Sequence, residues 1–279
     1  MDKMETGQLC QPAERKPKGL LFFDIDGTIF DDSRRLPDSV LPAMEAAHRN
    51  GHGLIINTGR TLCNRDRRLD GFPLDGWIMG CGTRIIYHGE TLTSLEYDPE
   101  ESLRLRQIFL ELGIPTVWEC DTALYFDPAG AFCPEISGFR KFAEREGICR
   151  DLAEGDPEFR AVKMFCFADE RRIGTLEAKT ARAGMPFTAI NRGPEAWEIV
   201  PAGCSKGKGI TVLREKFGVG RDHCYAFGDS PNDLTMFEAA GHSIAMGNAP
   251  EDVKAVCGYV TDPPERDGIR NAMKHYGLI

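Results

Sequence analysis

The sequence lacks several patterns that would assign it to other classes of protein. No two cysteines have the C-x-x-C spacing of a zinc or redox motif, and no histidines have the H-E-x-x-H spacing of a zinc protease. No apolar run approaches the length of about 18 residues that predicts a membrane span, and there is no internal repeat or low-complexity segment. The ten cysteines are scattered, several of them inside apolar runs, which predicts reduced and buried thiols in a cytoplasmic protein.

Positive charge is also scarce. The chain has 34 lysines and arginines against 43 acidic residues, a net charge of −9, and no basic cluster that would follow a phosphate backbone. Nucleic acid is therefore not an expected partner, and neither is a membrane. Residues 1–18 are polar and have no apolar core of a signal peptide, so we predict a loose N-terminal leader. We expect a monomer or a small homo-oligomer.

Short apolar runs alternate with helical segments at both ends of the chain. Runs that end at Phe23, Ile56 and Met79 are typical of strands buried on both faces of a sheet. The same alternation resumes at residues 197–200 and continues with a run that ends at Phe227. This pattern predicts an α/β fold with a doubly wound, Rossmann-like parallel sheet.

A segment of different character interrupts this alternation. It contains short strand candidates at 84–88, 162–167 and 187–190, separated by helix candidates at 101–112 and 174–183. Its length is sufficient for a small α+β domain. We therefore predict a catalytic core made of residues 19–82 and 196–279, with residues 83–195 inserted as a smaller α+β domain.

Polar residues follow several of the predicted core strands at the point where each strand ends. Ligands bind at this edge of an open parallel sheet. The residues are Asp24 and Asp26, Thr58 and Gly59, Lys206 at the start of a helix, and Asp229 with Asn232 and Asp233. Each alone is a weak signal, equally typical of a turn, a helix cap or a solvated lysine. Their occurrence in order, each after a strand, predicts one site.

Two carboxylates that lie two residues apart in extended backbone point the same way and repel each other. A phosphoryl-transfer site can use such a pair, because one carboxylate attacks phosphorus and the other transfers a proton. A calcium loop is the alternative for this string, but Ile29 occupies the position where that loop needs glycine. Three ionised aspartates and a phosphate dianion would need a cation besides Lys206, and oxygen ligands favour Mg²⁺.

Four strings resemble the ordered motifs of the haloacid dehalogenase (HAD) superfamily. They are Asp24-Ile25-Asp26-Gly27-Thr28, Thr58-Gly59-Arg60, Ser205-Lys206-Gly207 and Gly228-Asp229-Ser230-Pro231-Asn232-Asp233. The strings at 239–241, 246–249 and 267–268 resemble the Cof-like branch of sugar-phosphate phosphatases, in which an α/β cap is inserted between the second and third motifs. Cys81 stands where close relatives of this branch usually have asparagine.

The resemblance implies roles for the two aspartates and for the metal ligands. Asp24 would be the nucleophile and a ligand of Mg²⁺. Asp26 would be the general acid and base, and its backbone carbonyl would also bind the metal. Asp229 would be a further metal ligand, and Asp233 would support the metal-bound water from behind.

The resemblance also implies which residues bind the phosphoryl group. Thr58 and the N–H of Gly59 would bind it, Lys206 would hold both the nucleophile and the phosphate, and Asn232 would support the phosphate. In the cap, Arg84, Trp118, Lys163 and Arg192 are candidates for substrate contact, with ordinary surface charge as the alternative.

The expected function is hydrolysis of a small phosphorylated metabolite, such as a sugar phosphate, through an aspartyl-phosphate. A phosphomutase or phosphotransferase would use the same carboxylate pair, and the core motifs do not separate the two. A third alternative is a ligand-binding member of the fold without catalysis, against which the complete set of acidic residues argues.

Overall fold

The computed structural model describes residues 16–279, so that residues 1–15 of the predicted leader lie outside the described residues. The strands are β1 Leu20–Phe23, β2 Gly53–Asn57, β3 Gly76–Met79, β4 Arg84–Tyr87, β5 Glu90–Ser94, β6 Thr116–Glu119, β7 Leu124–Phe126, β8 Cys149–Asp151, β9 Lys163–Phe167, β10 Phe187–Asn191, β11 Ala196–Pro201, β12 Cys224–Gly228, β13 His242–Ala245 and β14 Tyr259–Val260. The helices are α1 Val40–Arg49, α2 Pro99–Glu111, α3 Pro134–Arg145, α4 Glu170–Arg182, α5 Lys206–Phe217, α6 Leu234–Ala239, α7 Glu251–Ala255 and α8 Gly268–His275. Within this part of the chain, no helix combines the length and the apolar character that a membrane crossing requires.

The larger sheet has eight strands in the order β14-β13-β12-β1-β2-β3-β4-β5. The first six of these are parallel to their neighbours, whereas β4 and β5 are antiparallel. The central strand β1 is completely buried, because its alternating side chains enter two separate cores. Leu21 and Phe23 pack with α1 and α8 on one face, and Leu20 and Phe22 pack with α5 and α6 on the other. The predicted doubly wound α/β fold is confirmed.

A second sheet of six strands has the order β10-β11-β9-β6-β7-β8. Its pairs are antiparallel except for the parallel pair of β7 and β8. One face packs with α2 and α4 around Trp118, Tyr125 and Phe159, and α3 covers the other face. The helix α3 was not predicted from the sequence.

Two strands pair differently from the sequence-based expectation. The segment 197–200 was expected in the core sheet, but β11 pairs with β9 and β10 in the second sheet. Conversely, β4 folds back on β3, because left-handed backbone at Gly80, Cys81 and Gly82 reverses the chain there. The division into core and cap remains a proposal, and this pairing favours boundaries near residues 95 and 201 over 83 and 195.

Candidate active site

Asp24 lies directly beyond the carboxyl end of the central strand. Its backbone N–H donates to the carbonyl of Phe227 at 3.0 Å, which continues the pairing of β1 with β12 by one residue. Its buried side chain accepts a hydrogen bond on Oδ1 from Lys206 Nζ at 2.6 Å. No hydrogen bond from residues 16–279 reaches Oδ2, and Asp24 lines a cavity at this edge of the sheet. One carboxylate oxygen is therefore oriented and the other is available.

Lys206 joins two of the acidic residues. Its Nζ lies 2.6 Å from Asp24 Oδ1 and 2.5 Å from Asp233 Oδ1, and the side chain is 0% exposed. Burial alone would lower the pKa of Lys206, but the attraction of Asp233 and Asp24 raises it, so the lysine stays charged. Asn57 fixes the start of the helix by donating to the carbonyl of Lys206 at 3.0 Å.

Glycines allow α5 to approach the rest of the site. A Cβ on Gly207 would lie 2.1 Å from the carbonyl oxygen of Thr235, and one on Gly209 would lie 2.5 Å from Ile78. The helix is capped by Ser205, whose side chain accepts from the N–H of Lys208 at 3.0 Å. The short Ser-Lys-Gly string thus combines a cap, a buried cation and a close approach of backbone.

Asp233 holds the loop after β12 together. Its Oδ2 accepts from the N–H groups of Asp229 and Ser230 at 2.9 and 3.0 Å, while Oδ1 accepts from Lys206. Both of its oxygens are therefore occupied by protein donors. This arrangement supports the role proposed for Asp233 behind the metal ligands. Asn232 lines the same cavity, and its Oδ1 accepts from Ser230 Oγ at 2.8 Å.

Asp229 faces Asp24 across the loop that carries the first motif. Thr28 Oγ1 donates to Asp229 Oδ1 at 2.9 Å. Gly27 adopts a left-handed φ of +83°, and a Cβ there would lie 2.4 Å from Asp229 Oδ2, so that only glycine fits. Asn248 also positions this loop, since its Nδ2 donates to the carbonyl of Gly27 at 3.0 Å.

Asn248 does not cap the helix that follows it, although asparagine is a common N-cap residue. Helix α7 begins at Glu251 after Pro250. The side chain of Asn248 instead donates to Gly27, as described above, so a tertiary hydrogen bond takes the place of a local one.

Three acidic side chains converge closely enough to hold a cation. Asp24, Asp229 and Asp233 each offer a carboxylate oxygen, and these oxygens lie within 4.8 Å of one another. Burial, with repulsion from Asp233 and Asp26, raises the pKa of Asp24 to about 6 despite the opposing attraction of Lys206. Burial and repulsion from Asp24 and Asp233 raise the pKa of Asp229 to about 8. This all-oxygen, mutually repelling set fits the predicted Mg²⁺.

The carboxylate of Asp26 points away from this cluster. Its side chain is 52% exposed and accepts two hydrogen bonds from Arg60, at 2.8 Å from Nε and 2.5 Å from Nη2. The structure therefore brings Asp24, Lys206 and Asp229 together but holds the Asp26 carboxylate beside Arg60. Arg60 is the third residue of the Thr-Gly-Arg string, and no role was predicted for it from the sequence.

A cavity of about 450 Å³ opens above Asp24. Thr58 and Gly59 form part of its wall at the end of β2. The N–H of Thr58 donates to the carbonyl of Ile78 at 2.8 Å, and Thr58 Oγ1 accepts from the N–H of Arg60 at 3.2 Å. The second sheet closes the cavity with Phe139, Phe142, Phe165, Lys163, Glu119, Glu198 and Arg192.

A buried ionic cluster lies in the wall that the second sheet provides. Lys163 Nζ is 3.2 Å from Glu119 and 3.4 Å from Glu198, and Arg192 Nε is 3.6 Å from Glu198. Burial raises the pKa of Glu119 to about 7, although Lys163 opposes this. For Glu198, burial is outweighed by Lys163 and Arg192, which lower its pKa to about 2. The cluster reaches the first sheet, because Arg192 Nη1 donates to Ser230 Oγ at 3.2 Å.

The sequence analysis identified only some of the residues in this wall. Lys163 and Arg192 were named as candidates and line the cavity, but Glu119 and Glu198 were not named. Of the other two candidates, Trp118 is buried in the core of the second sheet and Arg84 pairs with Asp121, and neither lines the cavity. The available signal was a single acidic residue within an apolar strand, which is costly to bury unless a cation pairs with it. The phenyl groups of Phe139 and Phe165, whose ring centres are 5.0 Å apart, also line the cavity.

Cys81 connects the chain reversal to this cluster. It adopts a left-handed φ of 55°, which is uncommon for a residue other than glycine or asparagine. Its thiol donates to Glu198 Oε2 at 2.8 Å, and its N–H donates to the carbonyl of Thr58 at 3.1 Å. Burial, with repulsion from Glu198, keeps the pKa of the thiol well above its ordinary value.

Comparison with known proteins identifies the family. The family model for haloacid dehalogenase-like hydrolases matches residues 21–273. The chain belongs to this family. It is 28% identical to the HMP-PP phosphatase of Enterobacter sp. (strain 638), over 82% of this chain and 84% of that one. It is 24% identical to the 5-amino-6-(5-phospho-D-ribitylamino)uracil phosphatase YitU of Bacillus subtilis (strain 168), over 94% and 98% of the two chains.

Solved structures of the haloacid dehalogenase-like hydrolases agree with this assignment. The HAD subclass IIB sugar phosphatase BT4131 superposes with a TM-score of 0.77 at 29% identity, over 94% of this chain and all of that one. BT1666 from Bacteroides thetaiotaomicron shares the fold with a TM-score of 0.78 at 24% identity, over 98% and 100% of the two chains. The chain is therefore a HAD-type hydrolase similar to phosphatases.

Proposed function

We propose that this hydrolase cleaves small phosphate monoesters, such as sugar phosphates or related metabolites, with Mg²⁺ and through an aspartyl-phosphate on Asp24. The observation that supports this most is the state of the Asp24 carboxylate. One oxygen is held by Lys206 at 2.6 Å, the other is free of protein donors among residues 16–279, and the group lines the cavity. A carboxylate held in this way is an oriented nucleophile.

The reaction would proceed in two displacements at phosphorus. In the first, Asp24 forms a bond to phosphorus while the bond to the ester oxygen breaks, and Asp26 gives a proton to that oxygen. In the second, water attacks phosphorus, Asp26 takes a proton from it, and the bond to Asp24 breaks. Free phosphate and the original enzyme remain.

The other residues would orient the phosphoryl group and balance its charge. Thr58, the N–H of Gly59 and Lys206 would hold its oxygens, and Asn232 would support them. Asp24, Asp229 and the backbone carbonyl of Asp26 would hold Mg²⁺, with Asp233 fixing the loop behind them. When bound, the metal supplies positive charge against the phosphate and the nucleophile, which lets both anions approach.

Asp26 must turn away from Arg60 before it can act on the ester oxygen. In the structure its carboxylate is held by two hydrogen bonds to that arginine. We propose that the substrate draws Asp26 inward as the cap closes over the leaving group. The cap is residues 83–195, or 95–201 if its boundaries follow the strand pairing. Closure would also exclude water from the reacting centre.

The test is phosphate release from a panel of phosphorylated metabolites with Mg²⁺. Asp24→Asn should abolish turnover without loss of fold, and Asp26→Asn should lower it by about a hundred- to ten-thousandfold. Asp222→Asn, an exposed aspartate at the far end of β12, is the matched control and should retain full activity. Mass spectrometry of enzyme quenched during turnover should find a phosphoryl group on the peptide that contains Asp24.

Two outcomes would overturn this proposal. Near-full turnover by Asp24→Asn would exclude the nucleophile. Transfer of the phosphoryl group only to a second hydroxyl, with no release of phosphate in the absence of an acceptor, would show a mutase or phosphotransferase instead.

A further inference from the structure

A groove rich in arginine adjoins the active-site cavity. It has a volume of about 590 Å³. Its arginines, which define the arginine groove, are Arg34, Arg60, Arg65, Arg67, Arg68 and Arg145. Two carboxylates, Asp66 and Glu146, also line it, so that four positive charges remain in excess. Asp26 and Asp70, which pair with Arg60 and Arg65, reduce this excess to two. Such a local excess contrasts with the net charge of −9 of the whole chain.

One buried carboxylate organises half of the arginine groove. Asp66 accepts hydrogen bonds from Arg68 at 2.9 and 2.7 Å and from Arg34 at 3.2 Å, and it lies 3.5 Å from Arg60. Hydrogen bonding to Arg68 keeps the pKa of Asp66 at about 2, so it carries a full negative charge. That single charge neutralises only one of the three guanidinium groups it orients.

An aromatic ring contacts two of these arginines. The guanidinium carbons of Arg34 and Arg145, which also pair with Asp66 and Glu146, lie 5.8 and 5.6 Å from the ring centre of Phe142. Arg67 is exposed and forms no side-chain ion pair or hydrogen bond within the described part of the chain. A ring orients a guanidinium but leaves its donors available to an oxyanion.

The backbone of Arg34 adopts an uncommon conformation. It has a left-handed φ of 59°, although it is neither glycine nor asparagine. Its N–H donates to the carbonyl of Asp31 at 2.7 Å, and its own carbonyl accepts from Arg68 Nη1 at 2.7 Å. Two hydrogen bonds therefore hold this arginine between the first-motif loop and α3.

The arginine groove is continuous with the reaction site. Arg34, Arg60, Asn64 and Phe142 line both cavities. Arg60 spans the boundary, since its guanidinium binds Asp26 on one side and lies 3.5 Å from Asp66 on the other. The cavity above Asp24 therefore opens onto the arginines, so that a leaving group attached to phosphorus there can reach them.

We propose that the arginine groove binds a second anionic group, a phosphate or a carboxylate, carried by the leaving group of the substrate. This inference rests on the proposed function, and it narrows the substrate to a small metabolite with two anionic groups. Guanidinium groups bind both oxyanions with paired hydrogen bonds, which are among the stronger polar contacts in proteins. A neutral leaving group would leave the excess positive charge without a partner.

The test compares substrates that differ only in the second anion. Phosphate release is measured with Mg²⁺ for 3-phosphoglycerate against glycerol 3-phosphate, and for a hexose 1,6-bisphosphate against the hexose 6-phosphate. The first pair reports on a carboxylate and the second on a phosphate. In at least one pair, kcat/KM should be about ten- to hundredfold higher for the member that carries two anionic groups. The preference should weaken as ionic strength rises.

Variants assign the preference to the groove. Arg34→Gln and the double variant Arg65→Gln/Arg67→Gln should each lower the ratio of kcat/KM within the preferred pair by about tenfold. Arg34→Lys, which keeps the charge, should retain part of the ratio. Arg182→Gln, an exposed arginine at the end of α4, is the matched control and should leave the ratio unchanged. Thermal unfolding of each variant verifies the fold.

The outcomes separate this inference from the proposed function. Hydrolysis of both members of each pair at equal kcat/KM, or ratios that do not respond to the arginine variants, would overturn the inference alone. Absence of any Asp24-dependent hydrolysis would overturn the proposed function itself. Added sulfate that inhibits hydrolysis only of the substrate with two anionic groups would further support a shared oxyanion site.

Discussion

Replacing Asp229 with asparagine should stabilise the metal-free protein at pH 7, although Asp229 is proposed as a metal ligand. Burial and the neighbouring carboxylates raise its pKa from 3.8 to about 8. The folded protein therefore binds a proton more tightly than the unfolded chain does. The free energy of unfolding falls as the pH rises from about 4 to about 8, because folding must take up a proton that the unfolded chain has released.

The magnitude follows from the pKa shift. One pKa unit corresponds to about 1.4 kcal/mol, and roughly three units separate the ordinary pKa of 3.8 from pH 7, which sets a ceiling of about 4 kcal/mol. Two features reduce this ceiling: Asp229 is partly exposed to water, and its repulsion with Asp24 is also relieved when Asp24 binds a proton. The expected gain in the free energy of unfolding is therefore about 1–3 kcal/mol. Asparagine has the same shape and can still accept the hydrogen bond from Thr28.

The assay is urea unfolding of wild type and Asp229→Asn in EDTA at pH 7 and pH 5. The gain should shrink by more than half at pH 5, because this pH lies only about one unit above the ordinary pKa of 3.8, whereas pH 7 lies about three units above it. Asp222→Asn, on the exposed end of the preceding turn, should change stability by less than about 0.5 kcal/mol.

Saturating Mg²⁺ should reverse the order of the two proteins. Wild type would gain about 2.7 kcal/mol at a hundred times the dissociation constant, whereas Asp229→Asn would have lost a ligand and would gain less. A variant that is less stable than wild type in EDTA at pH 7 would refute the reasoning, because Asp229 would then be stabilising without a metal.

Three further substitutions probe the other buried charges. Lys206→Met should lower the free energy of unfolding by about 3–5 kcal/mol at pH 7, because it leaves Asp24 and Asp233 without their cation. Urea unfolding should show a smaller loss at pH 5, which is below the pKa of about 6 of Asp24. An equal loss at both pH values would contradict this. Glu119→Gln should stabilise the protein by about 1–2 kcal/mol at pH 8 and by much less at pH 5. The pKa of Glu119 in the folded protein, about 7, exceeds the ordinary value of 4.5, so the cost of burying this group grows as the pH rises between the two values. Thermal unfolding at several pH values measures the difference between the two proteins, and a difference that does not change with pH would argue against this reasoning. Cys81→Ala should lower the free energy of unfolding by about 1–3 kcal/mol, because the hydrogen bond to Glu198 is lost. Cys81→Ser keeps a hydrogen-bond donor and should lower it by less. Chemical denaturation of both variants measures the two losses.

The amino-acid sequence contained enough local information to predict the parallel sheet and the edge where the polar residues meet. Runs such as Leu20–Phe23 are wholly apolar because both faces of β1 are buried, and this property can be read without knowing the neighbours. In a parallel sheet the residues after such runs must share one edge. Asp24, Lys206 and Asp229 therefore converge as their order in the chain suggested.

Membership of strands in a sheet could not be read in the same way. The pattern of β11 is compatible with either sheet, and the structure pairs it with β9 and β10. Periodicity reports which side chains are buried but does not report which strand lies alongside. No local feature of the sequence therefore showed that the predicted boundary between cap and core at residue 196 comes before a strand of the second sheet.

Contacts between distant side chains were decided by tertiary structure alone. The direction of the Asp26 carboxylate depends on Arg60, and the pairing of Lys163 with Glu119 and Glu198 joins three separate strands. The arginine groove likewise combines residues 34, 60–68 and 145, which no motif connects. The sequence by itself thus determined where Asp24 and Asp229 would meet, because strand ends are local. The charges that line the adjoining cavities were decided only when packing brought remote segments together.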